Sequence, residues 1–165
     1  MKAAPALLLS LLLSQVPAPA GGKSAQAYVG LHVQGDEFEG EKFVRPNVIN
    51  GQTKYFRIMP EVVTRHFSAF QAFMAQDGAS YGVALRLNEE GLRAMDVTCV
   101  SNRGRLARII VNGKLLDVVQ IDNTPGDGYI IAWSGLDAAD LKILGKKMKR
   151  LDDGMPGEEQ KKGKR

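Results

Sequence analysis

The chain has one cysteine, Cys99, and two histidines, His32 and His66, in 165 residues. A single thiol excludes a disulfide framework and any zinc site built from several cysteines. The histidines stand far apart in sequence, which argues against a histidine-based metal site. No Gly-x-Ser-x-Gly elbow, phosphate-binding loop or dinucleotide fingerprint is present, and Gly104 and Gly113 stand alone on turns. The loop 122–128, DNTPGDG, holds Asp122 and Asp127 but lacks the terminal Glu of an EF-hand loop. Paired carboxylates of the glycosidase kind cannot be singled out among the many acids, Glu89 and Glu90 included. After the N-terminal segment no apolar run is long enough to span a bilayer. The sequence therefore assigns no catalytic, cofactor-binding or metal-ligating residue, and no cofactor.

What is present fits an exported globular chain. Hydrophobic residues make up 44% and the net charge is +4, within the range of an ordinary folded domain. Residues 1–20 combine Lys2, an apolar run and the small-x-small end Ala18-Pro19-Ala20, the pattern of a secretory signal peptide. A flexible lead-in is expected over 21–27 and a β-rich segment over 28–60. Within that segment, Pro46 cannot donate to a ladder and marks an edge or bulge. Asn50-Gly51 and Asn112-Gly113, each between apolar runs, predict type I′ hairpins. In the second of these, a two-residue loop would set Arg108 opposite Asp117.

Residues 61–151 read as an α+β unit. Phe67, Phe70 and Met74, widened by Phe73, predict a helix over 64–76 closed by Asp77-Gly78. Tyr81, Val83, Leu85 and Leu87 alternate as a half-buried strand. Asn88 caps a helix carrying Leu92, Met95 and Cys99 on one face, which makes Cys99 a buried small hydrophobe. Strands follow at 106–111, 115–121 and 129–133. Asp137 and Asp140 form a capping box, with Leu136 and Leu141 as its hydrophobic staple. Leu144, Met148 and Leu151 extend that helix to its end, where Lys146, Lys147, Lys149 and Arg150 suit the macrodipole. Residues 152–165 read as a disordered charged tail. The expected fold class is α+β, a mostly antiparallel sheet with β-hairpins and about three helices on one face.

The stretch 81–150 resembles the head subdomain of the first periplasmic domain of SecD/SecDF. YGVALRL, NEEGLRAM, GRLARIIVNGKLLDVVQI, GDGYIIAWSG and LDAADLKIL carry the resemblance, in that order. It implies a non-enzymatic exported domain, periplasmic or secreted, that contacts extended polypeptides or an envelope protein. This chain has neither the family's transmembrane helices nor its intramembrane acids, so motor activity is not implied. Two other readings stand beside it. One is a small periplasmic hydrolase using His66 or the Asp122/Asp127 loop. The other is an electrostatic adaptor whose basic C-terminal helix, Lys142 to Arg150, meets phospholipid or wall polymer. Export removes nucleic acid from the expected partners.

Overall fold

The computed structural model describes residues 26–151. The expected signal segment 1–20, most of the lead-in and the charged tail 152–165 lie outside the described residues. Two sheets and two α-helices are built from β1 (Val29–Gly35), β2 (Val44–Ile49), β3 (Gln52–Arg57), β4 (Val62–Val63), β5 (Phe67–Met74), β6 (Tyr81–Leu87), α1 (Glu89–Ser101), β7 (Leu106–Val111), β8 (Lys114–Gln120), β9 (Tyr129–Leu136), α2 (Ala138–Leu144) and β10 (Lys149–Arg150).

The first sheet has the order β2-β3-β1-β7-β8, with β4 also paired to β1. The second has the order β10-β5-β6-β9. Every pairing is antiparallel except β10 with β5. Alternation sends Val29, Leu31 and Val33 of β1, Ala107, Ile109 and Val111 of β7, and Val83, Leu85 and Leu87 of β6 into one buried cluster. Met95 and Cys99 of α1 and Leu141 and Leu144 of α2 join it. The first sheet thus draws on strands from both 28–60 and 61–151.

Local signals produced the local structures they predict. Asn50 and Gly51 take φ of 50° and 75°, and Asn112 and Gly113 take 50° and 84°, as type I′ turns require. Pro46 lies on β2, at the edge of its sheet. Asn88 Oδ1 accepts from Gly91 N–H at 2.8 Å and caps α1. Asp137 Oδ1 accepts from Ala139 and Asp140 N–H, and Asp140 Oδ2 accepts from Asp137 N–H, which completes the capping box. Leu136 and Leu141, the staple residues, are both buried.

Three expectations are corrected. Residues 64–76 are not a helix. A 3-10 turn at Thr64–His66 leads into β5, which pairs with β6 from Phe67↔Leu87 to Met74↔Tyr81. A bulge between Phe67 and Ala69 resets the alternation, so Phe67 and Phe70 both reach the core at a three-residue spacing that mimics a helix. The last helix stops at Leu144, and the chain turns to lay Lys149 and Arg150 beside Ala69 and Phe70. With the expected helix 64–76 replaced by β5, there are two α-helices among the described residues, not about three. Finally, Arg108 does not face Asp117. A bulge in the β7–β8 hairpin puts Asp117 opposite Ile109 and Val118 opposite Arg108.

Leu144 is fully buried while Lys147 is exposed. Leu144→Ala is expected to cost about 2–5 kcal/mol through the cavity it leaves. Lys147→Ala should cost no more than about 0.5 kcal/mol, and Asp137→Ala should fall between them in chemical denaturation.

A pH dependence follows from the α2 cap. The Lys114 ammonium, 2.8 Å from Asp137 Oδ2, acts with the Asp140 amide to hold the Asp137 carboxyl at about 2, below its ordinary 3.8. The folded value is the lower one. Asp137's contribution is therefore complete above 3.8 and is lost as pH falls through about 2. In Lys114→Met, stability should fall less steeply across that interval than in the unaltered chain, as read from denaturation midpoints at several pH values.

Candidate functional site

The structure disperses the ionisable residues that could have formed a catalytic set. His66 is buried, its Nδ1 accepts from Val63 N–H at 3.2 Å, and its Nε2 lies 3.4 Å from Glu90 Oε1. The ring thus closes a 3-10 turn. Asp127 accepts from Tyr129 N–H within its own loop, a turn role. Glu89 approaches Arg93, and Glu90 approaches Arg65. Cys99 is buried, and burial raises its thiol pKa, disfavouring the thiolate a nucleophile needs. Among the described residues no three His, Cys, Asp or Glu side chains come together as a metal site. The β2 edge is blunted by Pro46, which lacks the amide an added strand would use.

The second sheet presents a different arrangement at its rim. Between Ala132↔Val83 and Leu136↔Tyr81, β9 inserts Trp133, Ser134 and Gly135 where β6 offers only Gly82. Gly135 takes φ of 100°, a conformation that side chains other than glycine's strain to adopt. This three-for-one bulge turns Trp133 outward, leaving it 64% exposed. Phe73, paired with Gly82, meets Trp133 in an edge-to-face contact at 5.9 Å between ring centroids. Only a glycine fits beneath them. A Cβ at position 82 would collide with the Phe73 ring and come within 2.6 Å of the Trp133 carbonyl oxygen.

A hydrogen-bonded brace holds the bulge. Gly135 N–H donates to Ser80 Oγ at 3.1 Å, and Ser80 O–H donates to Asp77 Oδ2 at 2.6 Å. Asp77 Oδ1 also accepts the Ala79 and Ser80 amides. These bonds, that of the Ser80 hydroxyl first, hold the Asp77 carboxyl below the usual carboxylate range. The β5–β6 loop and the β9 bulge are thereby tied together. Between them lies an open pocket of about 410 Å3 lined by Phe73, Met74, Gln76, Asp77, Trp133 and Ser134. Its walls are aromatic and thioether, with the Gln76 amide, the Ser134 hydroxyl and the Asp77 carboxylate, the last already hydrogen-bonded, at the margin. It can take up an apolar side chain. A larger cleft of about 560 Å3 lies beside Gln26, Tyr28, Thr64, Arg65 and Lys147.

The sequence places Phe73 on a core helix and Trp133 at the end of a short strand, so neither stood out. The signal that was available was the pair of small residues, Gly82 and Gly135, within runs that otherwise read as strands.

No protein-family model matches the chain, and no curated protein matches it. Solved structures do. A structure of SecDF, described as a membrane component that enhances protein export, matches with a TM-score of 0.51 at 14% identity, over 81% of this chain and 73% of that one. A SecDF crystal structure in a super-membrane-facing form matches with a TM-score of 0.51 at 14% identity, over 76% of this chain and 19% of that one. The chain therefore has a SecD-like fold. No helix among the described residues is long and apolar enough to cross a membrane.

Gly82→Val should cost about 1–3 kcal/mol by overpacking. It should also displace the Trp133 ring. Trp133 is the sole tryptophan, so its emission maximum reports that displacement directly, and an unchanged spectrum would contradict the packing described.

Proposed function

We propose that this chain is an exported, non-enzymatic binding domain that holds extended polypeptide segments by their apolar side chains. The observation that carries the reading is the Phe73–Trp133 pocket. A bulge and a glycine expose the largest aromatic of the chain beside a second aromatic ring and Met74, itself 53% exposed. Exposing such groups on a strand is unfavourable unless a partner covers them, and tryptophans that anchor a partner carry a disproportionate share of binding energy. A thioether beside two aromatic rings also adapts to side chains of differing shape, as a binder of unfolded segments requires.

The likeness to SecDF supports this reading, since that protein is described as enhancing protein export. Export of the present chain agrees with the signal-peptide pattern of residues 1–20. The finer correspondence, to the head subdomain of the first periplasmic domain, belongs to the same proposal and rests on the order of strands and helices over 81–150.

The test uses a permanently unfolded polypeptide, such as a reduced and carboxymethylated protein, titrated into the full chain. Trp133 emission should shift to shorter wavelength and saturate, and Trp133→Ala, followed by anisotropy of a labelled polypeptide, should bind at least about tenfold more weakly. Equal binding of the same protein in its native, disulfide-intact form would sink the proposal. So would full affinity in the folded Trp133→Ala variant.

A further inference from the structure

The first sheet has a second cluster on the side facing away from the shared core. Tyr28, Gly30 and His32 follow one another at a spacing of two and so share a face. The Tyr28 ring lies over Gly30, where a Cβ would meet the Tyr28 ring carbon at 2.8 Å and His32 Nε2 at 2.9 Å. The Tyr28 hydroxyl is 2.8 Å from His32 Nε2, and His32 Nδ1 is 2.9 Å from the Arg57 carbonyl oxygen. A carbonyl can only accept, so Nδ1 carries the ring proton, and Nε2 of the neutral ring accepts from Tyr28 O–H. His32 is 5% exposed. Its pKa is lowered, first by burial, with the nearby Arg108 charge acting in the same direction.

Arg108 on β7 pairs directly with His32. Its guanidinium lies over the Phe56 ring, 5.1 Å from the centroid. Its Nε is buried with no hydrogen-bond partner, and none of the ion pairs among the described residues includes Arg108. The β8 bulge is the structural reason, because it carries Asp117 away and leaves Val118 opposite. Nε itself is out of a ligand's reach, but the side chain as a whole is only half-buried, and a carboxylate at its outer nitrogens supplies the charge partner that Asp117 does not.

We propose that Arg108, with Tyr28 and His32, binds a monocarboxylate that carries an apolar body. The planar guanidinium matches the two oxygens of a carboxylate. One cation without a second favours a monoanion over a phosphate dianion. The fully buried Phe56 holds the guanidinium from beneath, and the partly exposed Ile110 and Val118, flanking Arg108 on the same face, supply apolar contact for the remainder of the ligand. His32 couples to this binding. When the ring takes a proton, Nε2–H donates to the Tyr28 oxygen, and the Tyr28 O–H is released to donate to the carboxylate. The groups acting on the ring are the Tyr28 hydroxyl beside β1, the Arg108 charge from β7, the Arg57 carbonyl from β3 and the backbone of Ile58 just after it. A bound anion therefore raises the pH at which His32 titrates.

The experiment is an NMR titration of the full chain with benzoate, with benzamide as its neutral counterpart. Benzoate should give saturable shifts at His32 and at Arg108 Nε, and should raise the His32 titration midpoint. Benzamide should do neither. Arg108→Met should weaken benzoate at least about tenfold, and Tyr28→Phe should weaken it by a smaller factor. A peptide with a free C-terminal leucine, compared with its amide, separates the two sources of a carboxylate. Binding of the free peptide assigns the site to chain ends, binding of benzoate alone assigns it to small acids, and either supports the site. Equal shifts with benzamide, an unmoved His32 midpoint, or full affinity in Arg108→Met would overturn it. Should Arg108→Met fail to fold, the benzoate–benzamide comparison in the unaltered chain decides.

Discussion

Asn112 joins three parts of the chain that are remote in sequence. Its backbone adopts φ of 50° for the type I′ turn between β7 and β8. Its N–H donates to the Tyr28 carbonyl, and its Oδ1 accepts from Tyr28 N–H at 3.1 Å, which fixes the entry of β1. Its Nδ2 donates to the Asp140 carbonyl and carboxylate, which fixes the first turn of α2. The buried Asp140 carboxylate is then balanced by Lys114, two residues along the same hairpin, at 2.6 Å. A buried charge is tolerable only when paired and hydrogen-bonded, and removal of one partner leaves the other uncompensated. The turn chemistry that selects Asn at this position thus also supplies the side chain that ties the helix to the sheet.

With β1 anchored there, the two sheets can share a core. β1 receives β7 along one edge, while β4 at Gly30 and Leu31, then β3 at Gln34 and Gly35, take up the other. β1 is buried along nearly its whole length, and burial of His32 demands that both ring nitrogens find partners. Tyr28 and the Arg57 carbonyl meet that demand. The polar cluster on the outer face is accordingly a consequence of where β1 sits in the sheet.

How much of this could be read in the sequence depended on the range of the interaction. Asn-Gly turns, the Asn88 cap and the Asp137–Asp140 box involve neighbours within four residues, and each was legible. The strand 81–87 and the buried face of α1 were legible from periodicity. The β5 strand was not, because a bulge gave Phe67 and Phe70 a helical spacing, and only pairing with β6 distinguishes the two. The end of α2 was set by pairing with β5, some eighty residues earlier in the chain. The candidate sites were hidden for the same reason. Both the exposure of Trp133 and the lack of an acid opposite Arg108 arise from bulges, which shift register by residues that no local pattern marks.

The two outward clusters share one physical device. In each sheet a glycine is the second residue of a strand, where it costs backbone entropy and contributes no packing. In each, an aromatic ring covers it: Tyr28 over Gly30 and Phe73 over Gly82. Such coverage recovers apolar contact that the glycine itself lacks. It also brings the ring down close to the backbone, where a larger residue would hold it off. The lowered ring then meets a neighbour it could not otherwise reach, His32 in one sheet and Trp133 in the other. At 14% identity the likeness to SecDF constrains the path of the backbone and not these side chains. The chemistry of either face must therefore follow from what the two glycines allow this chain to place above them.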